Sequence, residues 1–148
     1  GKETLLVVED EEMVRDLACE VLKEYGYNVL EASTGPEAIE IGKRHAGTIH
    51  LLVTDMVMPG MSGIETAQKL AAFRPGIPIL YISGYSREAI LQMGDAIPAG
   101  TFLQKPITPT NLLSSVREIL LRNGCPSSDP PSILRGAGVS SGPSRSRG

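Results

Sequence analysis

No stretch of this 148-residue chain reaches the 18 or so consecutive apolar residues that a membrane-crossing helix needs. No charged-then-apolar export signal opens it. Cysteine is scarce: Cys19 and Cys125 are too few and too far apart for a disulfide framework, which suits a reducing compartment. Clustered positive charge is also missing. Residues 1–122 hold 16 acids and 11 bases, a net of −5, and residues 123–148 carry a net of +2. An acidic body of this kind argues against grip on a phosphate backbone, and it equally serves ordinary solubility. The two histidines, His45 and His50, lack metal-ligand spacing and read as surface or loop residues. Gly35, Gly60 and Gly63 do not assemble a phosphate-cradling loop, and no Gly-rich turn follows the first apolar run.

What the chain does have is alternation. Short apolar runs are separated by amphipathic segments, the pattern of repeated strand–helix units. Strands are expected at Thr4 to Val8, Tyr27 to Ala32, Ile49 to Thr54, Ile77 to Ile82 and Thr101 to Leu103. Val14, Leu17, Ala18, Val21 and Leu22 recur at helical spacing, and Gly26 punctuates the end of that helix. Gly35-Pro36 opens a second helix, with proline where a first-turn proline is tolerated. Ser62 caps a third, carrying Ile64, Ala67, Leu70 and Ala71 and ending near Arg74-Pro75-Gly76. Ser86 caps a fourth, with Glu88 in its first turn. Thr108-Pro109 opens a fifth that buries Leu112, Leu113, Val116, Ile119 and Leu120. The reading is therefore a three-layer α/β domain over residues 1–122. From Asn123 to Gly148, 16 of 26 residues are Gly, Pro or Ser, too little apolar surface to offset ordering entropy, so 123–148 is expected to be a disordered tail.

The chemistry sits at the strand ends. Asp55 follows Leu51-Leu52-Val53-Thr54, Glu9 and Asp10 follow Leu5-Leu6-Val7-Val8, Ser83 follows Ile79-Leu80-Tyr81-Ile82, and Lys105 follows Phe102-Leu103-Gln104. Any one of these could be a turn or cap residue. Parallel strands joined by right-handed crossovers bring all of these ends to one edge, where such sheets bind ligands. Three carboxylates there repel, so at least one pKa rises or a cation is recruited. A hard divalent ion fits oxygen ligands, and Mg²⁺ in particular binds through one or two carboxylates plus a phosphate. Lys105 adds positive charge but cannot ligate. An aspartate facing both a cation and a lysine is suited to attack phosphorus and form an acyl phosphate. The cation and Lys105 would neutralise the phosphoryl oxygens, and Ser83 would donate to one of them.

Those residues carry a resemblance. Leu6-Val7-Val8-Glu9-Asp10-Glu11, Thr54-Asp55-Met56-Val57-Met58-Pro59-Gly60-Met61-Ser62-Gly63, Ile82-Ser83-Gly84-Tyr85 and Phe102-Leu103-Gln104-Lys105-Pro106 together resemble the receiver domain of two-component response regulators and hybrid sensor kinases, over residues 4 to 121. The resemblance implies a flavodoxin-like fold, a (βα)5 arrangement with five parallel strands in the order 2-1-3-4-5. It implies Asp55 as the phosphoacceptor and Lys105 as the phosphate-binding lysine. It implies Asp10, Asp55 and the backbone carbonyl of Val57 as Mg²⁺ ligands, with Glu9 nearby or acting through water. Ser83 matches the switch hydroxyl and Phe102 the aromatic switch position, although Phe102 on its own would also read as core. A cis Lys105–Pro106 bond is implied as well. Glu9 stands where many members have Asp, Phe102 where some have Tyr, and Ser62 where Asp is common.

The expected function is acceptance of a phosphoryl group from phosphohistidine. The partner is a histidine kinase or a histidine phosphotransfer domain, and no nucleic acid or membrane contact is expected of this domain. A weak homodimer through the fourth helix, fifth strand and fifth helix fits the resemblance. The start Gly1-Lys2-Glu3-Thr4 reads as a domain boundary, no output domain is expected after the tail, and Ser83-Gly84-Tyr85-Ser86 adds to a likeness with the C-terminal receiver of a hybrid histidine kinase. Such a chain phosphorylates and dephosphorylates itself and is not an independent enzyme. The expected location is cytoplasmic, with a parent protein that can be membrane-anchored. Three alternatives are a stand-alone single-domain regulator, an Asp-nucleophile phosphatase acting on small molecules, and a nucleotide-binding module. The phosphatase needs a second acid two residues after its nucleophile, where Val57 stands, and the nucleotide module needs the absent Gly-rich turn.

Overall fold

Each apolar run of the sequence becomes a strand; the three central ones are buried on both sides and the two edge strands are partly exposed. In the computed structural model, which describes residues 2–92 and 102–123, the strands are β1 (Thr4–Val8), β2 (Asn28–Ala32), β3 (Leu51–Asp55), β4 (Ile79–Ser83) and β5 (Phe102–Gln104). They alternate with α1 (Glu12–Glu24), α2 (Gly35–Arg44), α3 (Gly63–Ala71), α4 (Arg87–Gln92) and α5 (Pro109–Arg122). The sheet is parallel throughout, in the order β2-β1-β3-β4-β5. That is the order and the three-layer architecture expected.

Side chains alternate across a strand, so one run feeds two cores. Leu5 and Val7 join Leu51, Val53, Leu80 and Ile82 against Leu22 of α1 and Val116 of α5. Leu6 and Val8 join Leu52 and Tyr81 against Ala38 of α2 and Leu70 of α3. Burying each such leucine or valine contributes roughly 1.5–3 kcal/mol, and this holds the helices on the two faces.

Helix starts follow local capping chemistry. The Ser62 hydroxyl accepts from the Glu65 N–H at 3.1 Å, and the Ser86 hydroxyl from the Ala89 N–H at 3.1 Å. Thr108 and Asn111 form a reciprocal capping box. On α2 the cap is Thr34, one residue ahead of Gly35-Pro36, and Glu37 accepts from the Ser33 N–H at 2.7 Å. Gly26 ends the turn after α1 with φ 92°, a left-handed conformation that glycine adopts without strain.

Several expected boundaries move by a residue or two. β2 starts at Asn28, because the N–H of Tyr27 donates back to the Leu22 carbonyl at 3.1 Å to close α1. β3 and β4 start two residues late and run one residue past the apolar stretch, so Asp55 and Ser83 are the last residues of their strands. A backbone ladder needs no apolar side chain, and here it continues into Met56, whose N–H donates to the Ile82 carbonyl at 2.7 Å. On α1, Leu17 is exposed despite its spacing, and Cys19 takes the core place. Burial chiefly pushes the Cys19 thiol up to about 12, so it stays protonated. Thr101, Cys125 and all of the expected tail except Asn123 lie outside the described residues.

Candidate functional site

The carboxyl ends of β1, β3 and β5 bring four of the sequence-identified groups to one crevice. Asp55 ends β3 and is buried, and Glu9, just past β1, is buried too. Asp10 is exposed at the crevice mouth. One carboxylate oxygen from each of Glu9, Asp10 and Asp55 lies within 4.8 Å of the other two. The Lys105 ammonium reaches in from the end of β5, 3.3 Å from Asp55 Oδ2 and 3.4 Å from Glu9 Oε1. The Lys105–Pro106 peptide bond is cis, as the resemblance implies.

Electrostatics follow from crowding acids in a buried place. Burial chiefly raises the Glu9 carboxyl to about 7, helped by the Asp55 charge and opposed by the Glu11 N–H, which donates to Glu9 Oε2 at 3.1 Å. Burial also raises Asp55, against the pull of Lys105 and a hydrogen bond from Glu9. Glu9 therefore titrates near neutrality, and its protonated form donates toward Asp55. Burial opposes the Lys105 charge, but the Glu11 hydrogen bond and the Asp55 and Glu9 carboxylates outweigh it and hold its pKa above the ordinary lysine range.

Ser83 is fully buried at the end of β4, and its hydroxyl oxygen accepts from the Tyr85 N–H at 3.0 Å, which leaves the hydroxyl proton to donate elsewhere. Its carbonyl accepts from the Lys105 N–H at 2.7 Å, tying the two strand ends together. Phe102 opposes Tyr81 across the β4–β5 ladder and packs, half-buried, on the core beneath α2 and α3. Val57 is exposed in the loop after β3. His50 is not a bare loop residue, since its Nδ1 accepts from the Thr4 N–H at 3.0 Å, at the opposite edge of the sheet.

Two residues beside the site were given no role by the sequence. Glu11 Oε1 lies 3.1 Å from Lys105 Nζ, although the two are 94 positions apart. Arg15 Nη1 donates to the Glu9 carbonyl at 2.8 Å. A third acid after Glu9-Asp10 was the only hint of the first, and nothing in the pattern pointed to the second.

The donor set fits a small hard cation: three carboxylate oxygens close together, one of them from the exposed Asp10. Without a cation, the buried Glu9 gives a pH dependence. Its folded value of about 7 exceeds its ordinary 4.5, so its contribution to stability is complete below about pH 4.5 and is lost as pH rises through about 7. Glu9→Gln should therefore be more stable than the native chain at pH 8 in chelator, by on the order of 2–3 kcal/mol, with the difference closing toward pH 4.5. Paired melting curves across this range test it. A difference independent of pH contradicts the electrostatic assignment.

Comparison with known proteins points the same way. Residues 5–117 match the family described as the response regulator receiver domain. The chain is 37% identical over 120 residues to the sensor kinase CckA of Brucella abortus, covering 81% of this chain and 13% of that protein. It is 35% identical over 117 residues to the autoinducer 1 sensor kinase/phosphatase LuxN of Vibrio campbellii, covering 79% and 13%. It thus spans about an eighth of the length of either kinase. The crystal structure of the receiver domain from the hybrid histidine kinase CckA superposes with a TM-score of 0.67 at 39% identity, covering 79% of this chain and 98% of that one. With a five-stranded parallel sheet in this order, an acidic crevice and a lysine at the carboxyl edge, and that family match, the chain belongs to the response regulator receiver domains of two-component systems.

Proposed function

We propose that this chain accepts a phosphoryl group on Asp55 from phosphohistidine, as the receiver of a hybrid sensor histidine kinase. The observation that carries the reading is the Asp55 carboxylate, buried at a strand end and 3.3 Å from the Lys105 ammonium. An Asp55 oxygen attacks phosphorus, the P–N bond breaks, and its electron pair returns to the donor imidazole. An acyl phosphate results, which water later hydrolyses to inorganic phosphate and the free carboxylate.

The residues divide the work. Lys105 neutralises a phosphoryl oxygen and exchanges its present carboxylate partners for it. Lys105 favours the ionised, nucleophilic form of Asp55 against the burial that raises its carboxyl, and Glu9, raised to about 7 by burial, lies beside it. Asp10, Asp55 and the Val57 carbonyl would hold Mg²⁺, with Glu9 beside it or through a water. When bound, that ion supplies charge neutralisation for the transferring group. Ser83 donates its hydroxyl to the arriving phosphoryl group, and Phe102 turns toward the space Ser83 leaves, biasing a packed surface between two states. The partner is a histidine kinase or histidine phosphotransfer domain, and the surface of α4, β5 and α5 serves a weak homodimer. On this reading the chain works in the cytoplasm and is not an independent enzyme. Among the described residues, no helix is long and apolar enough to cross a membrane.

The test pairs labelling with stability. With a small acyl-phosphate donor and Mg²⁺, the native chain should take up one base-labile phosphate. At tenfold excess over its Kd, Mg²⁺ should add about 1.4 kcal/mol of stability, a rise of roughly 5 °C in Tm. Asp10→Ala should lose both effects. Undiminished labelling in chelator would overturn the metal-dependent mechanism.

A further inference from the structure

The geometry points to Arg15 as a positioning residue for the Glu9–Asp10 turn, holding the ligand geometry of the cation site without touching the cation. The inference rests on the Mg²⁺ reading above. The other long helices are fastened at their starts by side chains: Thr34 caps α2, Ser62 caps α3 and Thr108 caps α5. The start of α1 is different, since Glu11 at its cap position makes no side-chain cap hydrogen bond. Yet this is the turn that carries two of the three acids.

The fastening comes from one turn further along. Arg15 Nη1 donates to the Glu9 carbonyl at 2.8 Å, a charge-assisted bond that crosses the turn. Its Nε faces Glu31 Oε1 at 4.0 Å on the neighbouring β2, and Lys23 Nζ holds the other oxygen of Glu31 at 3.1 Å. On the far side of the turn, the Glu11 N–H holds Glu9 Oε2 and the Glu9 N–H donates to the Ala32 carbonyl at 3.1 Å. The backbone between the two acids is therefore gripped from both sides, and the guanidinium grip is the one a single side chain supplies. A guanidinium suits the task because its rigid fork serves a carbonyl and a carboxylate at once.

Groups that orient metal ligands from outside the coordination shell commonly change metal affinity by 10- to 100-fold. Arg15→Met keeps the aliphatic stem and removes the donors. Mg²⁺ titration followed by amide NMR should show a Kd about 10-fold weaker in this variant. Its cation-free spectrum should differ from native mainly over residues 9–12, with Tm in chelator little changed. Arg15→Lys, which keeps one charged donor, should restore part of the affinity. Lys23→Met, which loses the Glu31 contact but not the Glu9 one, should bind as native. If Arg15→Met does not fold, Arg15→Gln takes its place with the same expectation. Native affinity in the folded variant, with the native chain binding Mg²⁺, overturns the role of Arg15 alone. A native chain that binds no Mg²⁺ overturns the cation reading, and this inference falls with it.

Discussion

Asp55→Asn should abolish phosphoryl incorporation completely and, in chelator at neutral pH, melt at a higher temperature than the native chain. The first half follows from chemistry: a carboxamide of the same size has no anionic oxygen to attack phosphorus. The second half follows from electrostatics. Burial holds the Asp55 carboxyl above its ordinary value despite Lys105, so the folded state binds that proton more tightly than the unfolded chain does. Its contribution to stability is present below the ordinary carboxyl value and is lost as pH rises through the folded one. At neutral pH the ionised group therefore costs stability that a neutral side chain does not. Lys105 is not stranded by the change, because Glu11 and Glu9 remain within 3.1 and 3.4 Å. Function and stability thus move in opposite directions at this position. A fall in Tm would mean that the Lys105 pairing outweighs burial, and the electrostatic account would need revision.

The second large effect is expected at a residue with no reactive group. Gly63 opens α3 directly beneath the phosphoacceptor strand, and its N–H donates to the Met56 carbonyl at 2.9 Å. A Cβ there would run into the Asp55 carbonyl oxygen, and would lie 2.9 Å from the Asp55 carbonyl carbon and 3.0 Å from Met56 Cα. These are backbone atoms that cannot turn aside, so either the helix or the strand end must shift. Overpacking of this kind costs about 3 kcal/mol, the upper part of the usual range. For a domain of this size the corresponding loss in Tm is roughly 10 °C. Displacing Asp55 by about 1 Å should also slow labelling about 100-fold. Gly60→Ala is the internal comparison. A Cβ at Gly60 meets nothing within 4 Å, and only its φ of 79° resists the change. That costs roughly 1–2 kcal/mol and leaves Asp55 in place. Equal losses at the two glycines would refute the steric argument.

What could be read in the sequence, and what could not, divides along a physical line. The caps at Ser62, Ser86 and Thr108 were legible because capping joins residues three apart. The shared edge was legible because parallel strands with right-handed crossovers put their carboxyl ends together, whereas the strand order was legible only through the family resemblance. Asp55, Glu9, Asp10 and Lys105 were legible because each stands where an apolar run stops. Side-chain reach was not. Glu11 meets Lys105, and Arg15 crosses its own turn to the Glu9 carbonyl, only after the elements are placed. Leu17 fits the helical spacing yet faces solvent, because the buried stripe of α1 runs through Ala18, Cys19, Val21 and Leu22. His50, with no pattern around it, accepts a backbone N–H across the β1–β3 boundary. Periodicity reports which face a residue occupies, but not what lies opposite it.

The most direct measurement of the central claim is the position of the phosphoryl group. The native chain, treated with a small acyl-phosphate donor and Mg²⁺, is reduced with borohydride, which converts an acyl phosphate to the corresponding alcohol, and is then digested and mapped by mass spectrometry. The account predicts conversion at Asp55, with Glu9, Asp10 and Glu11 unmodified. Conversion at any of those acids with Asp55 intact, or phosphate on a serine or histidine in its place, would contradict it.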